Sequence, residues 1–510
     1  MIDFENIDLS CPKTWDLIGS GDTKGVFQLE SRLGQSMSKK LKPQNIEQLA
    51  ALISILRPGC LEAVRDGKTV SNHYIDKKNN KESIDYFHES LESILSETFG
   101  EMVYQEQAMQ ICQKIASFNL SEADMLRKAI GKKNPQEMAK IKTLFIQKSK
   151  ETNMVNESEA EQIFSWIEKS QRYSFNKSHA ISYALNAYVS AYAKAHFPLQ
   201  FFTSYLRFAK DKIDPMREIN DLGNNAIEHN IRIYRPDFTK MNKEFELIDD
   251  IIYFGFTNIK GVGESVFNKI KDIIQNNNLE ISNMCLNEIL FWILDKINST
   301  AAKNLISVGA FDYLKISRKK ILFYLDTISH LSNREKEIII NNIDLNSTLI
   351  DILHKVKDST NKRRKEVILS LINALEAPAY SLDDNYEWIA NTEKQLLGIA
   401  ITCSIIDARN TEAANCDCQR LNRDRVLPKN ILIASEIANI NIVKTKKGKN
   451  PGQEMAFIKI SDGTGSADII VFPKEFDNIR NILYEGNTVM FSLEQSKNKD
   501  SIFVKKCWQI

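Results

Sequence analysis

The sequence predicts a multidomain chain, mainly α-helical up to about residue 427 and closed by an all-β barrel of the OB type. Three observations predict it. From Asn45 to Phe208 apolar residues recur at three and four, as in "EMVYQEQAMQICQKIASF", which is the period of an amphipathic helix. Beyond residue 430 the period changes to alternating and clustered β-branched residues in short segments. At 510 residues the chain also exceeds one ordinary domain and has length for roughly three to five cores.

Taken in order, residues 1–40 are mixed, with Gly19, Gly21 and Gly25 interrupting any long element. The helical pattern of 45–208 follows. A second helical region runs from Lys212 towards Asn276, broken near Pro236 and over Tyr253–Phe256. At its end stands "IKGVGESVFNKI", 259–270, and a partner, "NLISVGAFDYL", occupies 304–314. Residues 315–380 read as helical, basic and low in glycine, and the polar run 407–430 as a linker or exposed loop. Strand segments are expected at 431–445, 454–461, 466–472, 487–495 and 501–508, with "SDGTGS" at 461–466 as a hairpin turn and one helical insert near 474–483. Strand count and order match an OB barrel.

Composition excludes several classes. The 67 Lys+Arg and 66 Asp+Glu leave a formal charge of +1, so any nucleic-acid affinity must come from local clusters. Of the eight Cys only Cys416 and Cys418 are close, without a second pair or a His at ligand spacing, which argues against a structural zinc site. Free thiols without a signal peptide predict a reducing, cytoplasmic compartment. No apolar run approaches the roughly 20 residues of a membrane span.

Local constellations carry the chemistry. In "LSEADMLRKAIGKKNPQEMAK", 120–140, Ser121 and Asp124 form a capping box, Gly131 stands where a left-handed residue would end the helix, and Asn134 and Pro135 restart a second one. Between them, Arg127, Lys128, Lys132 and Lys133 can surround a phosphate chain, or form an ordinary solvated corner. In "YSFNKSHAISYA", 173–184, Ser178 can cap the next helix, with Lys177 and His179 flanking its positive end and Tyr173 or Tyr183 available for stacking. The alternative is a capped helix whose tyrosines are core residues. "LRPGCLEAVRDGK", 56–68, sets Arg57, Arg65 and Lys68 around a Pro-Gly turn that lies along a backbone or simply ends a helix. "IKGVGES" has the helix-hairpin-helix form, in which Gly261 and Gly263 let a phosphate approach beside Lys260; an ordinary helix–helix turn is the competing reading. "SVGAF" supplies a companion turn. Lys444, Lys446 and Lys447 make a basic loop between the first barrel strands, suited to a single strand or to a protein partner. Two-metal nucleotidyl transfer needs grouped carboxylates, and the chain has no Asp-x-Asp; its adjacent pairs are Asp249–Asp250 and Asp383–Asp384.

Together these residues resemble the bacterial C-family replicative DNA polymerases, the alpha subunits of DNA polymerase III. "KGVFQLES" at 24–31, "LRPG" at 56–59, "VYQEQAM" at 103–109, "ADMLRKAIGKK" at 123–133 and "FNKSHAISYA" at 175–184 stand in the family's order and spacing, and the likeness covers nearly the whole chain. The resemblance implies a residual palm-to-fingers junction over 1–35, fingers over 36–235, a tandem helix-hairpin-helix region over 236–320, a helical and linker part of the clamp-binding region over 321–427, and an OB domain over 428–510. It makes Arg57, Arg127, Lys128, Lys132, Lys133, Asn176, Lys177 and His179 candidates for the incoming dNTP or the template-primer. Lys260, Gly261 and Gly263 become candidates for the duplex backbone, and Lys444, Lys446 and Lys447 for single-stranded template.

The resemblance also implies what should lie elsewhere. The phosphoesterase-like domain, the thumb and most of the palm, with the three aspartates that hold Mg²⁺, are expected to precede Met1. No catalytic or metal-binding residue is therefore expected in this chain, and its partners are DNA, dNTP and an upstream half carrying the palm. The sliding clamp is a further expected partner, although the usual Gln-led peptide ending in Leu-Phe is not recognisable in 315–395. The family's final tau-binding domain is not seen after the barrel. A non-enzymatic DNA-binding or assembly remnant of a split or decayed gene is the alternative to a polymerase part.

Overall fold

The computed structural model describes residues 6–132, 135–170, 174–423, 426–445, 451–496 and 501–510, with 130–132 and 423 described as backbone only. It divides into two units, 1–198 and 199–510.

The first unit is built on two hydrophobic cores. In one, the helix Lys177–His196 turns Ala180, Ala184, Ala187, Tyr188 and Ala191 onto the helices Ile46–Ile55 and Pro12–Ser20. Its small side chains let the neighbouring backbones approach closely, and the helix Ile46–Ile55 is apolar nearly all round because it is enclosed on every side. In the other, the helices Gln105–Ala116, Leu120–Lys132, Pro135–Thr152 and Glu157–Ser170 pack around Phe118, Phe145 and Phe164. The helical run expected from Asn45 is thus present, and residues before it also form helices, Pro12–Ser20 and Arg32–Leu41. Gly21, at φ 80°, ends the first of them.

Three local expectations are corrected. The capping box of Leu120–Lys132 is made by Asn119 and Glu122, whose side chains exchange bonds with each other's backbone N–H at 2.9 Å, and not by Ser121 and Asp124. Gly131 does not end that helix, which continues to Lys132, while Pro135 does open the next helix; Asn134 lies outside the described residues. Asn176, not Ser178, caps Lys177–His196, its Oδ1 accepting from the His179 N–H at 2.9 Å.

In the second unit the helices Glu264–Asn276, Ser299–Ser307, Arg318–Ser329, Asn333–Asn342, Leu349–Asp358 and Lys362–Glu376 share one large core with Phe238, Phe254 and Phe256. Three short strands escaped the periodic reading: Ile251–Tyr253 pairs parallel with Ile233–Tyr234 and antiparallel with Glu246–Ile248. Asp249 and Asp250 form the tight turn of that hairpin, both at positive φ, rather than extending along a strand.

The barrel is closed. Its first strand, Ile431–Lys444, pairs with the second, Glu454–Ser461, and with the fourth, Thr488–Gln495; the third, Ser466–Val471, joins the second to the fifth, Ile502–Gln509, which returns to the fourth. The helix Pro473–Ile479 sits between strands three and four, giving the OB-type order. The polar run before the barrel is more than a linker, because Cys416 and Cys418 are buried in the barrel core and Cys418–Arg423 is helical. Among the described residues no helix is long and apolar enough to cross a membrane.

Candidate nucleic-acid interface

Two distant motifs meet through one β-bridge. The Phe175 N–H donates to Val103 O at 3.0 Å and the Gln105 N–H to Phe175 O at 2.9 Å, joining "VYQEQAM" to "FNKSHAISYA". The bridge holds the chain extended as far as Phe175, so the helix starts immediately after it. Glu106 completes the start by accepting from Asn176 Nδ2 at 2.8 Å and from the Lys177 N–H at 2.9 Å. The positive end of this helix is therefore already met by a carboxylate.

On the outer side of the same helix stands a continuous row of rings. The Arg57 guanidinium lies 3.7 Å from the centre of Phe175, Phe175 is 5.3 Å from His179, His179 is 4.1 Å from Tyr183, and Tyr183 is 5.2 Å from Phe27. His179 and Tyr183, four apart, necessarily share a helix face. Arg57, His179 and Phe27 are exposed and Phe175 and Tyr183 half-buried, so the row presents a cation and π faces to solvent. Phe27 is held in place from below: Lys194, fully buried, donates to Asp22 Oδ1 at 2.7 Å, to Asp22 O at 2.9 Å and to Lys24 O at 3.1 Å.

The other predicted cations have protein partners. Lys177 Nζ bonds both oxygens of Glu97 at 2.8 and 2.7 Å. Arg127 and Lys128 both pair with Asp124, at 2.8 and 2.9 Å, and the bonds from Lys128 and then Arg127 hold its carboxyl below the usual range. These two stand over the Phe145 core while Lys177 and His179 stand over the Tyr188 core, so the structure seats the two groups on different helix layers. The Lys132 side chain and Lys133 lie outside the described residues. Arg65 and Lys68, on the two-stranded hairpin of Val64–Arg65 and Lys68–Thr69, form ion pairs at the surface, Arg65 with buried Glu101 and Lys68 with Asp76 and Glu82.

In the second unit, Gly261 makes the hairpin turn at φ 80°, where Asn304 Nδ2 holds Lys260 O at 2.7 Å. Lys260 is exposed. Gly263 then opens the helix Glu264–Asn276 without a side-chain cap, and the first bonds of that helix run from the Val266 and Phe267 N–H to Gly263 O. The approach to this helix start is open at Gly263, where a Cβ would meet nothing within 4 Å. The companion turn differs: Gly309 is buried, and a Cβ there would lie 2.3 Å from Arg318 Nη2, so it serves packing and not an exposed phosphate cradle. Gly263→Ala is expected to leave the melting temperature unchanged. Gly261→Ala, forced into φ 80° and within 2.8 Å of Asn304 Nδ2, is expected to lower it by several degrees, about 1–2 kcal/mol, in parallel thermal scans.

At the barrel, Lys444 ends the first strand opposite Glu454, whose carboxylate pairs with Arg480 at 2.9 Å. Lys446 and Lys447 lie outside the described residues.

Residues 1–153 match the bacterial DNA polymerase III alpha subunit finger domain, and residues 230–321 match a helix-hairpin-helix motif. Over 96% of its length the chain is 32% identical to the DNA polymerase III subunit alpha of Aquifex aeolicus, covering 38% of that protein. It is 30% identical to the subunit of Campylobacter jejuni over 95% of its length, covering 38%, and 28% identical to that of Thermus aquaticus over its whole length, covering 39%. Over nearly its whole length the chain is similar to bacterial DNA polymerase III alpha subunits. It spans less than half the length of these curated relatives.

The carboxylates of the described residues do not fit a two-metal centre. Among the described residues no group of three or more His, Cys, Asp or Glu could hold a metal ion. Asp249 and Asp250 are turn residues, and Asp384 is occupied in accepting from the Arg318 and Lys319 N–H at 2.8 and 3.0 Å. The sequence alone did not single out Phe27 and Phe175 as parts of the ring row, or Lys194 as the buried anchor of the turn before Phe27. The first lies in "KGVFQLES" and the second in "FNKSHAISYA", so both motifs were visible; which rings face each other was not.

Proposed function

We propose that this chain positions dNTPs and grips template-primer DNA as part of a DNA-directed DNA polymerase in replication, with the Mg²⁺-binding aspartates on a separate polypeptide. The observation that carries the reading is the exposed row Arg57–Phe175–His179–Tyr183–Phe27, in a chain that matches the family's finger domain. Its π faces suit a base, and the cations nearby suit a triphosphate. Arg127, Lys128, Lys132 and Lys133 on one layer, and Asn176, Lys177 and His179 on the other, are the residues proposed to meet the nucleotide or the template-primer. In the free chain Asp124 and Glu97 hold three of these cations, so a phosphate chain binds by exchange with protein carboxylates.

The open helix start at Gly263, with Lys260 and the Gly261 turn, meets duplex phosphates independently of sequence. In the reaction, the primer 3′-oxygen bonds to the α-phosphorus and pyrophosphate leaves. This chain's residues orient the triphosphate for that displacement. The upstream palm-bearing half is the required partner, and the sliding clamp a further one.

Mg²⁺-dependent primer extension by the purified chain, alone and mixed with the upstream half, tests the reading. Extension is expected only from the mixture, and Lys177→Ala in the mixture is expected to raise the KM for dNTP. Extension by the chain alone would overturn the division of labour. Failure of associated halves to extend would leave a non-enzymatic DNA-binding remnant.

A further inference from the structure

The first unit holds a thiol and an imidazole that the proposed nucleotide and duplex contacts do not use. Cys11 Sγ lies 3.2 Å from His196 Nε2, a contact between residues 185 positions apart. Both side chains are half-buried, so the sulfur is packed in place and still within reach of a small molecule.

Two helices bring the pair together. Cys11 is the N-cap of Pro12–Ser20, and His196 is the last residue of Lys177–His196, which packs on that helix with the Trp15 and Tyr188 rings 4.8 Å apart. Tyr192, one turn back, stacks on the His196 ring at 4.3 Å and fixes its plane.

Burial, and after it the Lys13 ammonium, hold the His196 imidazole below the usual histidine range. The ring is therefore neutral near pH 7, and its Nε2 accepts from the thiol. Transfer of that proton leaves a thiolate beside an imidazolium. Cys11 makes no side-chain cap bond, so the sulfur can carry charge at the positive end of Pro12–Ser20, next to Lys13 in the chain. Asp8, the carboxylate closest in sequence, is turned to Ser10, accepting from its N–H at 2.8 Å and its Oγ at 2.6 Å. Tyr188 donates to Asp8 O at 2.7 Å, and burial raises its pKa, so it adds no charge.

The other thiols are placed differently. Cys285, Cys403, Cys416 and Cys418 donate to backbone carbonyls, which take no proton. Burial pushes the thiols of Cys60 and Cys507 up to about 12 and raises that of Cys112 as well.

We propose that Cys11, with His196 as its base, is a modification site for hydroperoxides. The thiolate sulfur attacks one peroxide oxygen and the O–O bond breaks. The departing hydroxide or alkoxide takes the proton held by His196, leaving Cys–SOH and water or an alcohol. Sulfur is oxidised and the peroxide reduced. Cys60 and Cys112, the other thiols of the first unit, are fully buried, so the product is a sulfenic acid and not a disulfide within that unit. The inference goes beyond the polymerase reading and does not rest on it.

Limiting hydrogen peroxide added to the full chain, with dimedone trapping and peptide mass mapping, tests the site. Cys11 is expected to be trapped about tenfold faster than Cys403 and Cys507. His196→Phe keeps a ring against Tyr192 and removes the base. It is expected to slow trapping at Cys11 about tenfold at pH 7 and to leave the rates at Cys403 and Cys507 unchanged. The slowing should shrink above about pH 8.5, where a free thiol ionises by itself, a response that lost packing would not give. If His196→Phe disturbs the fold, His196→Gln takes its place, and the comparison of thiols in the parent chain decides by itself. Equal trapping of Cys11, Cys403 and Cys507 in the parent, or an unchanged Cys11 rate in a folded His196 variant, overturns the proposal.

Discussion

Arg318→Met is expected to destabilise residues 199–510 by about 3–5 kcal/mol, the largest loss from any single substitution considered, because it breaks a buried charge cluster from its centre. Arg318 is 1% exposed, and its guanidinium donates to Glu393 at 2.9 Å, to Asp312 at 2.8 Å, to Thr402 at 2.9 Å and to Ser307 O at 3.0 Å. Asp312 keeps a second cation, Arg235, at 2.9 Å. Glu393 is fully buried and loses the only cation that pairs with it among the described residues, although the N–H groups of Ile401 and Thr402 still donate to it. The cost therefore falls on an uncompensated buried carboxylate, more than on the lost bonds themselves. Adding Glu393→Gln should recover a substantial part of the loss, since the amide carries no charge. Denaturant unfolding of the three variants, with hydrogen exchange over 299–330, measures this. Simple additivity of the two substitutions would contradict a charge origin. Gly309→Ala approaches the same cluster from the backbone side, with its Cβ 2.3 Å from Arg318 Nη2 at φ 80°, and should unfold with a similar exchange pattern.

That cluster shows why part of the structure was legible in sequence and part was not. The five barrel strands fall within a residue or so of their expected positions, because alternation of β-branched residues is a local signal and "SDGTGS" fixes one register. The strands Ile233–Tyr234 and Ile251–Tyr253 are too short to show alternation. Helix starts were misplaced by two residues where a tertiary anchor decides between competing caps. Buried Phe118 sets Asn119 at the cap ahead of Ser121, and the bridge at Phe175 sets Asn176 ahead of Ser178. "SVGAF" read as a second phosphate turn, but its glycine makes room for Arg318, a residue whose partners reach as far along the chain as Thr402. In the candidate site the residue types were visible and the pairings were not: Lys177 meets Glu97 and Arg57 meets Phe175 only through tertiary folding.

The ring row depends on a residue that never reaches its surface. Lys194→Met is expected to reproduce the functional loss of Phe27→Ala. Its ammonium, fully buried, makes one link to the Asp22 carboxylate and two to the carbonyls of Asp22 and Lys24, three residues before the ring that stacks on Tyr183. Methionine fills the space of the lysine stem but supplies no donors, so the turn loses its anchor while the core of Ala191 and Tyr188 stays packed. A carboxylate that is 31% exposed can be hydrated, so the fold should survive with a loss of about 1–3 kcal/mol. If Phe27 supplies one stacking face for a base, either substitution raises the KM for dNTP in the reconstituted enzyme by about tenfold, with a smaller change in kcat. Because both act on the same ring, the double variant should be no worse than Phe27→Ala alone. Hydrogen exchange separates the causes: residues 22–29 should exchange faster in Lys194→Met and at the parent rate in Phe27→Ala. Faster exchange without a change in KM would leave Lys194 a stabilising residue only, and would remove Phe27 from the nucleotide site.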